Sequence, residues 1–255
     1  MNRTELKAFL DEKAAYYEQP AFLEQDPIQI PHRYTQKEDI EISGFLTAVI
    51  AWGNRLSILR SADKMMQLMG NAPYDFVVNH QPQDLENMEG FVHRTFQAVD
   101  LQYFLKALQQ IYRHQGGLET TLAKHYKESG ELQLALSNFK KEFFSFDPPA
   151  RSLKHLPDPI KGSAAKRINM YLRWMVRPAD RNVDFGIWDQ IPAAALSCPL
   201  DVHSGRVARA VMLLKRKQND AKAVAELDKA LRRLDPLDPV KYDFALFGLG
   251  VDEKF

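Results

Sequence analysis

One stretch limits the fold more than any other. Residues 40–52, IEISGFLTAVIAW, are apolar almost all the way round a helical wheel. A helix without a polar face has to be covered on every side, so other helices must surround it. The remaining periodic segments can do so. Leu6, Phe9, Leu10 and Ala14 fall at helical spacing in a helix over 4–18, and the run after residues 40–52 continues as a second helix beyond a break near Gly53. A short helix or turn is expected at 74–78. A long one passes through Leu101, Phe104, Leu105, Leu108 and Ile111 and stops at Gly116–Gly117. Further helices are expected at 118–126, 132–144, 187–194, 201–214 and 220–234. The apolar run VKYDFALFGLG closes the series, ended by Gly248 or Gly250. No segment alternates convincingly like a strand, so the expected class is all-α.

The clearest break is SFDPPARSLKHLPDP, where four prolines in fifteen residues exclude regular structure. It divides the chain into two expected lobes of one helical unit, residues 35–146 and residues 1–34 with 151–255. The apolar share, 45% of 255 residues, suits a packed globule rather than a disordered chain. The formal charge of +1 announces no polyanion partner, but its distribution does. From Arg151 to Arg181 eight Lys/Arg face only Asp158 and Asp180, leaving +6 in a chain that is otherwise net acidic.

Cys198 is the single cysteine, which excludes an internal disulfide and any cysteine-held cluster. The histidines form no ligand spacing and no phosphate-cradling glycine pattern occurs, so neither a metal nor a cofactor is expected. The start, MNRTELKAFLDEK, is charged and amphipathic rather than a signal core, and no apolar run reaches the ~18 residues of a membrane span. A cytoplasmic monomer without membrane contact is expected.

Two segments carry the chemistry. In KGSAAKRINMYLRWMVR (161–177) a helix entered through Gly162 and Ser163 places Ala164, Ile168, Tyr171 and Met175 on one side. Lys166, Met170, Arg173 and Arg177 fall nearly opposite, as a column of cations. In CPLDVHSGRVAR (198–209) Asp201 is placed to cap a helix by accepting from its first free N–H groups.

GSAAKRINMYLRW resembles the helix-hairpin-helix segment of archaeal-type 8-oxoguanine DNA glycosylases, in which Gly-x-x-x-Lys leads into a helix. LDVHSGRVAR resembles the next element of the wider superfamily, with its Asp-x-His-x-x-Arg pattern. As a whole the chain looks like an uncharacterised bacterial family related to these glycosylases. The resemblance implies a two-lobed helical glycosylase-like fold, with Lys166 as nucleophile and Asp201 as catalytic aspartate. It also implies double-stranded DNA with a damaged base as partner and, with it, association with the nucleoid. The hairpin departs from the usual Gly-x-Gly, reading Gly-Ser-Ala, so its backbone donors at Gly162, Ser163 and Ala164 are the least secure part of the match. His203 and Arg206 are placed to meet a phosphate, alongside Arg173 and Arg177. The end of residues 40–52 resembles the corner that inserts a polar side chain into the duplex, with Asn54 where a glutamine often stands; the plainer account is a helix junction closed by Gly53. Trp52, Trp174, Trp188 and Phe247 are the candidates to receive an extruded base.

The implied chemistry is demanding. Attack needs a neutral amine, and at the reference pKa of ~10.4 only about one lysine in a thousand is neutral near pH 7.4. Lys166 is therefore expected at the dry floor of a cleft, with the carboxylate of Asp201 across the same pocket. The alternative is a noncatalytic helix-hairpin-helix module that binds nucleic acid or protein.

Overall fold

The computed structural model describes residues 1–24 and 26–253; residues 25, 254 and 255 of the second expected lobe lie outside it. The described residues are mostly helical, as the periodicity requires. The helices are α1 (Arg3–Tyr17), α2 (Lys37–Val49), α3 (Arg55–Leu68), α4 (Pro73–Asn79), α5 (Ala98–His114), α6 (Gly117–Ser129), α7 (Leu132–Phe143), α8 (Lys166–Val176), α9 (Val202–Ala210), α10 (Ala221–Leu234) and α11 (Tyr242–Val251). They fall into two compact units. The first holds residues 1–24, 131–133 and 158–253, the second 26–130 and 134–157. The divisions near 24 and 157 replace those expected at 34 and between 146 and 151.

In the second unit α2 is buried at every position from Ile40 to Val49, which is the consequence of having no polar face. Phe45 packs against Phe104, Phe139 and Phe143, with ring centroids 6.2, 6.3 and 5.6 Å away. The one carboxylate this helix buries, Glu41, accepts a 2.6 Å hydrogen bond from Tyr112. A small hairpin corrects the expectation of no strand. β1 (Val92–His93) pairs antiparallel with β2 (Phe96–Gln97), turning through Arg94 in the left-handed region. Two residues per strand are too few for alternation to show in a sequence.

In the first unit the core joins Leu10 and Ala14 of α1 to Val207 and Ala208 of α9, Leu227 and Leu231 of α10, and Leu246 and Leu249 of α11. α11 packs closely on two neighbours because two of its positions lack side chains. A Cβ on Gly248 would stand 2.3 Å from the Tyr17 ring, and one on Gly250 would stand 2.9 Å from the His203 carbonyl oxygen.

Three expected elements change. Residues 187–194 are not a helix; only the turn Ala193–Ala195 is 3-10. Upstream the chain runs beside the end of α8, Phe185 N–H donating to Trp174 O (2.7 Å) and Trp188 N–H to Met175 O (3.0 Å). α9 ends at Ala210 rather than at residue 214, because Met212 takes a left-handed backbone (φ 62°). α8 begins at Lys166, not at Gly162. Its whole length from Ile168 to Val176 is buried, so no cation column faces solvent.

Candidate functional site

Lys166 is the first residue of α8, and the loop before it sets its direction. The turn Pro159–Lys161 closes with Gly162 N–H donating to Pro159 O (2.9 Å) and Ser163 N–H to Asp158 O (3.2 Å). Those two amide groups, expected to hold a phosphate, are spent inside the turn. Ala165 N–H donates to Ser163 Oγ (3.1 Å), and Ala221 N–H to Gly162 O (3.0 Å), which ties the turn to the start of α10. Ala165 itself sits at φ 50°. A left-handed backbone costs an L-residue about 1–2 kcal/mol, and here it re-aims the chain immediately before the lysine.

Asp201 caps α9. Its Oδ1 accepts from His203 N–H (2.8 Å) and Ser204 N–H (3.0 Å), while its own N–H donates to Ser204 Oγ (2.9 Å). Asn219 Nδ2 donates to the Asp201 carbonyl at 2.7 Å, and Arg209 holds Asn219 at 2.6 Å. With Oδ1 committed to the cap, Oδ2 is left to face Lys166 Nζ at 3.6 Å. Two side chains separated by the loop 177–201 thus meet. The lysine side chain is 33% exposed and the aspartate 19%, so the ammonium stands at a half-open surface and not on the dry cleft floor expected of it. Its place in the first helical turn, at the rim of a loop, is the reason.

Behind the pair lies a buried polar network. Arg173 Nη1 donates to Asp243 Oδ2 (2.6 Å) and its Nε to Asp184 Oδ1 (3.2 Å), with its guanidinium 4.2 Å from the centre of the Phe244 ring. Arg177 reaches Glu18 (2.6 Å), Asp184 (2.6 Å) and Asp238 (2.8 Å). Burial alone would lower its pKa, but hydrogen bonds to Asp238 and Glu18 and the charge of Asp184 hold it well above the usual arginine range. Both arginines were expected on DNA. At 4% and 3% exposed they are internal counter-ions instead, because Asp184 just downstream and the distant Glu18, Asp238 and Asp243 converge on them.

Asp243 is the group that motif reasoning missed. Burial pushes its pKa up; Arg173 opposes that, and the charges of Asp201 and Lys166 reach it with opposite sign. The signal was present as a lone carboxylate in the otherwise apolar YDFALFGLG. Cys198 Sγ lies 3.8 Å from Asp243 Oδ1, and Cys198 N–H donates to Asp228 Oδ1 at 2.9 Å. Burial pushes the Cys198 thiol far up, and raises Asp228 to about 6.

With the pair placed, similarity to known proteins adds one result. A family described as a protein of unknown function, DUF2400, matches residues 26–252, most of the chain. The chain belongs to the DUF2400 family. No curated protein and no solved structure matches it. The DUF2400 match spans α8, α9 and α11, and therefore Lys166, Asp201 and Asp243 together.

The other expected site residues of this DUF2400 protein divide sharply. His203 stands edge-on to Phe247 at 6.1 Å, on the helix that Asp201 caps. Arg206 is exposed but donates to Gly250 O at 2.6 Å, fastening α9 to α11. Trp174 is fully buried, and Trp188 packs edge-on against Tyr171 at 5.5 Å, so both are core rather than pocket. Trp52 and Asn54 belong to the second unit. Trp52 lies against His93 and His155, and Asn54 caps α3 by accepting from Ser57 N–H at 3.2 Å. A cavity of about 280 Å³ in the first unit is lined by Asp11, Glu18, Arg177, Asp180, Asp238 and Lys241 among others, and excludes the Lys166–Asp201 pair.

Proposed function

We propose that this protein is a DNA glycosylase with AP-lyase activity on oxidised purines of the 8-oxoguanine kind. The observation that supports the reading is the Lys166–Asp201 pair, an amine and a carboxylate 3.6 Å apart with the carboxylate fixed by its own helix cap. The damaged nucleotide leaves the duplex. The lysine proton passes to solvent at the half-open surface, leaving Asp201 ionised, and the freed amine attacks C1′ as the glycosidic bond breaks and the base departs with the electron pair. Asp201 lies where positive charge grows on the sugar and stabilises it electrostatically. The nitrogen then loses its proton and expels O4′, which is protonated as the ring opens; the resulting imine acidifies the 2′ hydrogens, and loss of one expels the 3′ phosphate and nicks the strand.

Borohydride trapping on a duplex carrying 8-oxoguanine tests this. The wild type should yield a covalent adduct and Lys166→Gln should not. Absence of adduct across a panel of oxidised bases refutes the enzymatic reading. A second reading, a noncatalytic nucleic-acid or protein module, is favoured by the solvent access of Lys166. It requires that Asp201→Asn bind undamaged duplex as tightly as the wild type while no lesion is cut. In either case, among the described residues no helix is long and apolar enough to cross a membrane.

A further inference from the structure

Three segments of the second unit contain no acidic residue: 50–62, 90–99 and 148–157. Between them they carry Arg55, Arg60, Arg94, Arg151 and Lys154, five cations in a chain whose total formal charge is only +1. Side-chain contacts tie the three segments together. His93 joins the first to the second, its Nδ1 2.9 Å from Ser61 Oγ and its Nε2 3.3 Å from Trp52 O. Arg151 joins the third to the second, donating to Gln97 Oε1 and, at 2.9 Å, to Thr95 O. Trp52 stacks on His155, joining the first to the third.

The guanidinium of Arg94 lies directly over Gly53, where a Cβ would come within 2.6 Å of Nη1. That places a cation on the corner from which Asn54 starts α3. Asp100, next to the second segment, is fully buried and occupied by Ser152 Oγ (2.7 Å), Gln97 N–H, Arg151 and His155, while Asp63, Glu89 and Asp147 adjoin the segments at their ends. Arg55, Arg60, Arg94 and Lys154 have no acidic partner among the described residues. Leu56 and Val92 stand 62% and 58% exposed on the same segments.

We infer that this face of the second unit grips the phosphate backbone of duplex DNA. Four of the five cations are arginines, whose planar forks match phosphate oxygens. The two isolated apolar side chains suit sugar and base edges but are far too few to anchor in a bilayer, which needs a continuous apolar face. The inference rests on the glycosylase reading for its choice of DNA. It also supplies the phosphate contacts that Arg173 and Arg177, turned inward, do not.

The test is binding of the full chain to an undamaged 20-base-pair duplex, followed by fluorescence anisotropy from 50 to 300 mM salt. Arg60→Gln, Arg94→Gln and Lys154→Gln combined should flatten the slope of log affinity against log salt by about 2–3, since each lost phosphate contact removes about 0.9. Affinity at low salt should fall at least tenfold. The charge-keeping set Arg60→Lys, Arg94→Lys and Lys154→Arg should bind within a few-fold of the wild type. Unchanged affinity in the glutamine variant overturns the inference, as does equal wild-type binding to polyglutamate, duplex RNA or phosphatidylserine vesicles. If the glutamine variant does not fold, protection of Lys154 from acetylation by duplex in the wild type decides, and no protection overturns it. Borohydride trapping separates the two claims. Adduct without a salt-slope change sinks only this surface, and a salt-slope change without adduct sinks only the glycosylase.

Discussion

Replacing Arg177 by methionine isolates the difference between a buried counter-ion and a DNA contact. Methionine keeps much of the stem's volume and removes the charge. In the wild type one guanidinium serves Glu18, Asp184 and Asp238, of which the first two side chains are almost wholly buried and the third is 24% exposed. Asp238 can rehydrate when the cation goes; Glu18 and Asp184 cannot. Removing one partner of a buried ion pair leaves an uncompensated charge and costs about 3–5 kcal/mol. With two such acids stranded and Arg173 still bonded to Asp184, a loss near the middle of that range, about 4 kcal/mol at pH 7, is expected. Protonating the stranded acids relieves the clash, so the deficit should shrink as the buffer is taken from pH 7 to pH 4. Urea unfolding of both proteins, followed by far-UV circular dichroism at each pH, measures it. A loss below about 1 kcal/mol together with weakened duplex binding would refute the reasoning, since that is how a solvent-facing phosphate contact behaves.

Other expectations concern the site and its frame. Asn caps helices as well as Asp does, so Asp201→Asn should change stability by less than about 1 kcal/mol in thermal melts yet abolish trapping; a collapse in stability would mean the carboxylate is chiefly structural. Asp228 is raised to about 6, so the folded state holds its proton over pH 3.8–6 while the unfolded state releases it. Stability from this group is therefore full below 3.8 and declines as pH rises through 6, by about 3 kcal/mol in all. Asp228→Asn should flatten that stretch of the stability–pH curve, and an unaltered curve would show the group is not the source. Gly248→Ala would drive a methyl into the Tyr17 ring, and a cost of about 1–3 kcal/mol is expected in denaturant melts; a neutral result would mean that α1 yields.

What the chain disclosed in advance follows from where each piece of information resides. The all-round apolar residues of α2 dictated a buried centre, and the spacing of Leu101, Phe104 and Leu108 dictated α5, because periodicity is local. The start of α8 was hidden, since Gly-Ser-Ala-Ala-Lys reads as helix. The turn at Pro159 and the left-handed Ala165 override that propensity through tertiary contacts with α10. The wheel set Arg173 and Arg177 opposite the apolar stripe, as it should; that their side faces Glu18, Asp184, Asp238 and Asp243 is a fact of the folded chain alone. Lys166 and Asp201 were legible as residues but their meeting was not, and the half-open setting of the lysine depends on a loop conformation that no spacing encodes.

The single thiol of Cys198 has a practical consequence. With no accessible surface and an ionisation suppressed by burial and by three nearby acids, it should be deaf to alkylating and disulfide reagents as long as the first unit stays shut. Each labelling event then registers one excursion to an open form, which makes the native protein its own stopwatch for breathing around α9, α10 and α11 without any residue being changed.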